Sequence, residues 1–255
     1  MIRLIALDVD GTLVDKHNAE FSEKLLDEIE RLMDAGIIFC FATGRQFSNL
    51  KAMAGRLADR FYYVSENGAV IYGNTAVHPL LFCREMNRER ALEVANTILS
   101  QKDCEAVVCG PDMFYLKPKK MTFVERMSHY TGSKNTIVSS YDEIKDPIVL
   151  VSGFSPDSSV LRETLSEHCD PAFHYAVSGP TWVDTSNYDK GQGICRLCEY
   201  LGIRLEEVAA FGDNWNDEQI LSIVGHPYLR CTASEELRSR GWTVFRNVED
   251  VLKTL

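Results

Sequence analysis

Ile2-Arg3-Leu4-Ile5-Ala6-Leu7-Asp8-Val9-Asp10-Gly11-Thr12 is an apolar run that stops on two aspartates. In open α/β sheets ligands bind in the crevice outside the carboxyl ends of the strands, so a strand over residues 2 to 7 would deliver Asp8 to an active site. Carboxylates two residues apart in extended backbone project to the same side, which permits a shared metal ion but opposes leaving both charges unpaired. Something cationic must stand nearby. Gly11 allows close backbone approach and Thr12 offers a hydroxyl, although two aspartates at a strand end also serve simply to cap a turn.

The segments that follow repeat one unit. Leu25, Leu26, Ile29, Leu32 and Met33 fall at three-and-four spacing and Gly36 stands in the position of a helix C-cap. Ile37 to Ala42 is a continuous apolar run with β-branched and aromatic content, the pattern of a strand buried on both faces. A second helix carries Phe47, Leu50, Met53 and Leu57, and Phe61 to Val64 reads as a third strand before Ser65-Glu66-Asn67-Gly68. Strand and helix alternate, which predicts a parallel sheet. From about residue 81 the texture changes to an amphipathic helix over Asn87–Ser100 and short strand candidates separated by turn residues, the first two forming a hairpin around Gly110-Pro111-Asp112. The first pattern resumes with a helix from Gly191 to Leu201, a buried strand Val208–Phe211 and a loop Gly212–Asp217. The expected organisation is a core of residues 1–80 and 182–255, with an α+β module inserted over 81–181.

A chain of 255 residues with formal net charge -10 is long enough for a substantial core and lacks the basic footprint of a general nucleic-acid binder. Small anionic substrates remain open, because they need only local positive charge. The eight cysteines are scattered; Cys195 and Cys198 form a CxxC, but at helical spacing and without a second such pair, which suits core packing better than zinc or redox chemistry. The six histidines show no metal-ligand spacing. Apolar runs fall far below the roughly 20 residues that cross a membrane, and no secretory pattern opens the chain, so the expectation is a cytoplasmic protein with reduced thiols and no membrane partner.

Three further segments at strand ends carry chemistry. The Thr43 hydroxyl and Gly44 amide, leading with Arg45 into a helix, suit an anion, although the tripeptide is also an ordinary strand-to-helix turn. Lys190 at a helix start is either a solvated surface charge or, beside two carboxylates and a phosphate, a group that neutralises developing charge. Asp213 would complete a hard oxygen site for Mg²⁺, with Asn216 and Asp217 fixing the lysine or water ligands, although all three also suit the capping of the next helix. Asn67 either touches substrate or makes an Asn-Gly turn. Lys117, Lys119 and Lys120 beside Tyr115 would suit a second anionic group or form a solvated face.

These four elements, in this order and each at a strand end or helix start, resemble the haloacid dehalogenase-like hydrolase superfamily. The insertion between Thr43-Gly44-Arg45 and Lys190 looks like the large α/β cap of the Cof-type sugar-phosphate phosphatases. The resemblance implies a Rossmann-like three-layer core with a mobile cap, and a Mg²⁺-dependent phosphatase acting on a small phosphorylated metabolite. It further implies that Asp8 attacks phosphorus to form an aspartyl-phosphate and that Asp10 protonates the leaving oxygen, then activates water. Asp8, the Asp10 backbone carbonyl and Asp213 would hold the metal; Thr12, Thr43, Gly44, Arg45, Asn67, Lys190 and Asn216 would contact phosphate or substrate, with Asp217 behind them. A phosphomutase of the same superfamily, and a non-catalytic phospho-acceptor regulator, remain alternatives. After the Asp213 loop this chain departs from the family, with Val224-Gly225-His226-Pro227 and Cys231-Thr232-Ala233 where relatives usually carry a glycine-containing strand and an Asn-Ala pair.

Overall fold

The opening apolar run forms β1 (Leu4–Leu7), fully buried, and is followed by α1 (Glu23–Asp34), β2 (Ile38–Ala42), α2 (Phe47–Ala54) and β3 (Tyr62–Ser65). The chain continues through β4 (Val70–Tyr72), β5 (Leu80–Cys83), α3 (Arg88–Ser100), β6 (Glu105–Cys109), β7 (Phe114–Leu116) and α4 (Met121–Thr131). Next come β8 (Asn135–Ile137), β9 (Leu150–Phe154), α5 (Ser158–His168), β10 (His174–Val177) and β11 (Trp182–Ser186). It ends with α6 (Lys190–Leu201), β12 (Val208–Gly212), α7 (Glu218–Leu221), β13 (His226–Arg230), α8 (Glu235–Arg238), β14 (Thr243–Phe245) and α9 (Val248–Leu252). The structure is a computed structural model that describes residues 1–15, 20–131 and 134–255, without the side chains of 128–131; His17 and the His129 side chain thus lie outside the described residues.

Two compact units emerge, one of Met1–Arg45, Leu50–Phe82 and Asp189–Leu255, the other of Gln46–Asn49 and Cys83–Tyr188. The first holds an eight-stranded sheet in the order β14-β13-β12-β1-β2-β3-β4-β5. From β14 to β3 the strands run parallel, and β4 turns back antiparallel to β3. Because side chains alternate across a strand, Leu4, Ala6, Cys40 and Ala42 pack with Ile194, Leu197 and Cys198 of α6 on one face. On the other face Phe41 stacks on Phe61 at 4.3 Å and on Phe21, which leads into α1. The helix α1 forms because Ser22 accepts the Leu25 amide at its start and buries Leu25, Leu26, Ile29 and Leu32. It stops because Gly36, at φ +94°, closes the turn with its amide on the Met33 carbonyl.

This topology positions the site. β1 lies between β2 and β12, and the strand order reverses beside it, which in a parallel sheet opens a crevice at the carboxyl ends. Asp8, Thr43 and Asp213 are each the first residue beyond one of these three strands.

In the second unit a six-stranded sheet, β10-β11-β9-β6-β7-β8, packs one face against α3 and α5 through Val94, Ile98, Val108, Val151, Leu161 and Val183. The boundary expected at residue 182 moves, because β11 pairs antiparallel with both β9 and β10 and so belongs to this sheet. The first turn of α2 also groups here, with the Ser48 amide bound to Asp112. The lysines near Tyr115 do not gather as an anion site: the Lys119 and Lys120 amides bind Glu105, the Lys119 ammonium binds the Gln101 carbonyl, Lys120 pairs with Asp103, and Lys117 lies over the Tyr141 ring.

Candidate active site

Lys190 opens α6, where the Asp189 side chain accepts the Gln192 amide and Gln192 answers the Asp189 amide. That capping box fixes the helix start and aims the lysine into the crevice. Only 1 % of its side chain is exposed, and its ammonium donates to Asp8 Oδ1 and Asp217 Oδ1, both at 2.7 Å. Burial alone would push this ammonium down, but Asp217 and Asp8 outweigh burial and hold it above its ordinary value. Asp217 is held in turn: its second oxygen accepts the amides of Asp213 and Asn214 at 3.0 and 3.2 Å.

Asp213 projects beside this triangle. A Cβ on Gly11, which sits at φ +84°, would lie 2.2 Å from Asp213 Oδ2, so only glycine lets the turn after β1 approach this carboxylate. Thr12 Oγ1 donates to Asp213 Oδ1 at 3.0 Å. Asp8, Asp213 and Asp217 offer ligand oxygens that all lie within 4.8 Å of one another. Burial, together with the Asp217 charge, pushes Asp8 well above the usual carboxylate range and Asp213 up to about 6. Three carboxylates thus gather around one ammonium, with the Arg230 charge acting on Asp213 from farther off. A hard divalent cation fits this donor set: it is oxygen-only, partly shielded and short of positive charge.

Asp10 does not join that group. Its carboxylate, 42 % exposed, sits in the fork of Arg45, with Nη2 to Oδ1 at 2.6 Å and Nε to Oδ2 at 2.7 Å, while the arginine itself is 6 % exposed. Arg45 Nη1 also reaches Met53 Sδ at 2.9 Å. Thr12, expected at the phosphate, donates its hydroxyl to Asp213, and Arg45, expected at the substrate, pairs with Asp10. Local spacing reveals neither contact, because partners 201 and 35 residues apart meet only through the sheet.

Thr43, Gly44 and Asn67 come together. Thr43 is buried, its hydroxyl accepts the Arg45 amide at 3.3 Å and its carbonyl accepts the Asn67 amide at 3.0 Å. Asn67 adopts left-handed backbone at φ 52°, and a Cβ on Gly44 would stand 3.2 Å from its side-chain oxygen. Asn216 is half-buried on the turn Trp215–Asp217. Sequence reasoning missed Arg230. It ends β13 and binds the carbonyls of Gly11 and Thr12; an arginine at the end of a parallel strand was the available signal, but the strand itself was not read.

The haloacid dehalogenase-like hydrolase profile matches residues 5–250. An HMP-PP phosphatase of Escherichia fergusonii is 28 % identical over 247 residues, covering 94 % of this chain and 88 % of that protein. A 5-amino-6-(5-phospho-D-ribitylamino)uracil phosphatase of Escherichia coli is 24 % identical over 237 residues, covering 89 % and 84 %. A haloacid dehalogenase-like hydrolase from B. subtilis superposes with a TM-score of 0.86 at 23 % identity, covering 100 % of both chains, and so shares the fold. With the match spanning nearly the whole length and the four strand-end elements converging as described, the chain belongs to the haloacid dehalogenase-like hydrolase family.

Proposed function

We propose that the protein is a Mg²⁺-dependent phosphatase of a small phosphorylated metabolite, working through an aspartyl-phosphate on Asp8. The observation that carries this reading is the buried triangle: one ammonium bridges Asp8 and Asp217 at 2.7 Å each, with Asp213 alongside, so one Asp8 oxygen is fixed by a lysine in a carboxylate-rich site that a divalent cation would complete. An attacking carboxylate and a phosphate ester repel, and a catalyst must offset that repulsion before the bond to phosphorus can form. Asp8, Asp213 and the Asp10 backbone carbonyl would hold Mg²⁺. The chemistry it would supply there is charge, offsetting the repulsion between nucleophile and phosphoryl group.

The chain's own groups do the rest. Asp8 attacks phosphorus as the ester P–O bond breaks, and Asp10 passes a proton to the departing oxygen. Asp10 then takes a proton from water, which attacks the phosphorus and releases inorganic phosphate and free Asp8. To carry a proton Asp10 must leave the Arg45 fork, and Arg45 is then available to a phosphoryl oxygen, so the substrate's own charge competes with Asp10 for the guanidinium. Lys190, Thr43 and Gly44 would grip the remaining phosphoryl oxygens, with Asn67 and Asn216 beside them. The second unit would act as the cap that selects the metabolite. The free cysteines, several of them buried, suit a reducing cytoplasm. No described helix is long and apolar enough to cross a membrane.

The test is hydrolysis of p-nitrophenyl phosphate with Mg²⁺ by the wild type and by Asp8→Asn. The wild type releases phosphate and the folded variant does not; substantial turnover by the variant would exclude Asp8 as nucleophile.

A further inference from the structure

At the carboxyl end of β13, Arg230 Nη1 donates to the Gly11 carbonyl at 2.5 Å and the Thr12 carbonyl at 3.3 Å, while Nη2 pairs with Asp15 at 2.8 Å. The turn it holds has its own bonds: the amides of Thr12, Leu13 and Val14 all reach the Val9 carbonyl, at 3.3, 2.9 and 3.1 Å, and the Gly11 amide reaches Val14. Those bonds use the turn's amides. The outward carbonyls of Gly11 and Thr12 accept from Arg230.

That turn joins the site's parts. It carries Asp10, it presents the bare α-carbon of Gly11 to the Asp213 carboxylate, and it supplies the Thr12 hydroxyl that binds Asp213. Arg230 is 15 % exposed, and its Nε is buried without a hydrogen-bond partner among the described residues. A buried donor left unpaired is unfavourable, so the arginine here is not optimised for stability alone. Asp15 is 78 % exposed, and a surface pair of that kind adds little. What the arginine provides that an apolar residue cannot is a two-carbonyl clamp on the turn after β1.

We propose that Arg230 is a positioning residue: it fixes the turn Asp10–Thr12 and, through Thr12, sets Asp213 for metal binding and for attack by Asp8. This rests on the reading of Asp8 as nucleophile and Asp213 as metal ligand. Arg230 touches no reacting atom; it acts through the turn, and its charge also reaches Asp213, which is why Arg230→Lys, keeping that charge, is the control.

The experiment compares the full chain with Arg230→Met and Arg230→Lys by calorimetric titration with Mg²⁺ in the absence of substrate, by thermal unfolding, and by kcat and KM on p-nitrophenyl phosphate. Partners behind metal ligands typically change affinity by about tenfold to a hundredfold, so Arg230→Met should weaken Mg²⁺ binding by at least about tenfold and lower kcat similarly, with KM at saturating Mg²⁺ within about threefold. Arg230→Lys keeps the charge but lacks the planar guanidinium geometry, and should recover part of both losses. If Arg230→Met lowers only the unfolding midpoint, with Mg²⁺ affinity and kcat unchanged, the proposal is overturned. If Arg230→Met does not fold, Arg230→Lys decides: a loss of at least about threefold in Mg²⁺ affinity supports the clamp, and wild-type values overturn it. Mg²⁺ titration does not depend on turnover, so failure of the nucleophile reading would show separately, as activity retained by Asp8→Asn.

Discussion

Two acid–base contacts stand at the end of β1, one on each side of Val9, and they are built in opposite ways. Asp8 is buried and joined to a lysine that is itself 1 % exposed and shared with a second buried carboxylate. Asp10 is 42 % exposed and lies in the two-pronged grip of Arg45. Removing one member of a buried ion group leaves an uncompensated charge, whereas the half-exposed Asp10 can exchange its partner for water at small cost to itself, provided another anion takes its place on the buried Arg45 guanidinium. The difference fits the roles proposed above: the buried triangle suits a group that must stay in place and attack, and the half-exposed pair suits a group that must change partner and protonation state during a cycle.

The largest effect should come from breaking the triangle. Lys190→Met leaves Asp8 and Asp217 facing each other without their shared cation, and we expect destabilisation of about 3–5 kcal/mol together with loss of turnover. Urea unfolding and phosphate release measure the two; a stable variant would show that the triangle does not hold the fold. The same kind of change on the other side should separate the effects. Asp10→Asn should cost kcat about 10²–10⁴-fold while the stability change stays within about 1 kcal/mol. Comparable losses of stability at the two positions would erase the distinction drawn here. Smaller again is Arg45→Lys, which keeps charge but loses the fork; we expect about a tenfold fall in kcat/KM, read from initial rates at varied substrate.

The smallest effect is a pH dependence. Asp213 is raised to about 6 in the fold, above its unfolded value, so its folded state favours the protonated form. The penalty for ionising it is absent below the unfolded value and fully present above about pH 6. A cation relieves that penalty only where the carboxylate is ionised. The rise in Tm on adding Mg²⁺ should therefore be large at pH 7.5 and shrink as pH falls through 6. A pH-independent rise would place the metal away from Asp213.

Much of this arrangement was legible in the chain, and the limits have physical causes. β1, β2, β3 and β12 announced themselves because parallel strands covered on both faces read as unbroken apolar runs. β13 did not: it is only partly buried and carries Pro227 in the ladder opposite Ala210. β14 exposes Thr243 and Val244. The helix α4 (Met121–Thr131) was also missed. Asp8, Lys190, Asp213 and Asp217 could be grouped because each marks a strand end or helix start, and topology gathers such positions. The particular contacts of Thr12, Arg45 and Arg230 depend on where side chains turn after the sheet has assembled, and no local period encodes that. Trp182–Ser186 illustrates the same limit for a domain edge, because only its pairing with β9 and β10 places it in the second sheet.

The most direct measurement of the central claim is capture of the covalent intermediate. Asp10→Asn, mixed with p-nitrophenyl phosphate and Mg²⁺, has a leaving group that departs without a proton but lacks the group that activates water. Quenched, reduced with borohydride and read by peptide mass spectrometry, it should yield homoserine at position 8, from the reduced aspartyl-phosphate. An unmodified Asp8 with phosphate released in a burst, or reduction at any other carboxylate, would contradict the account.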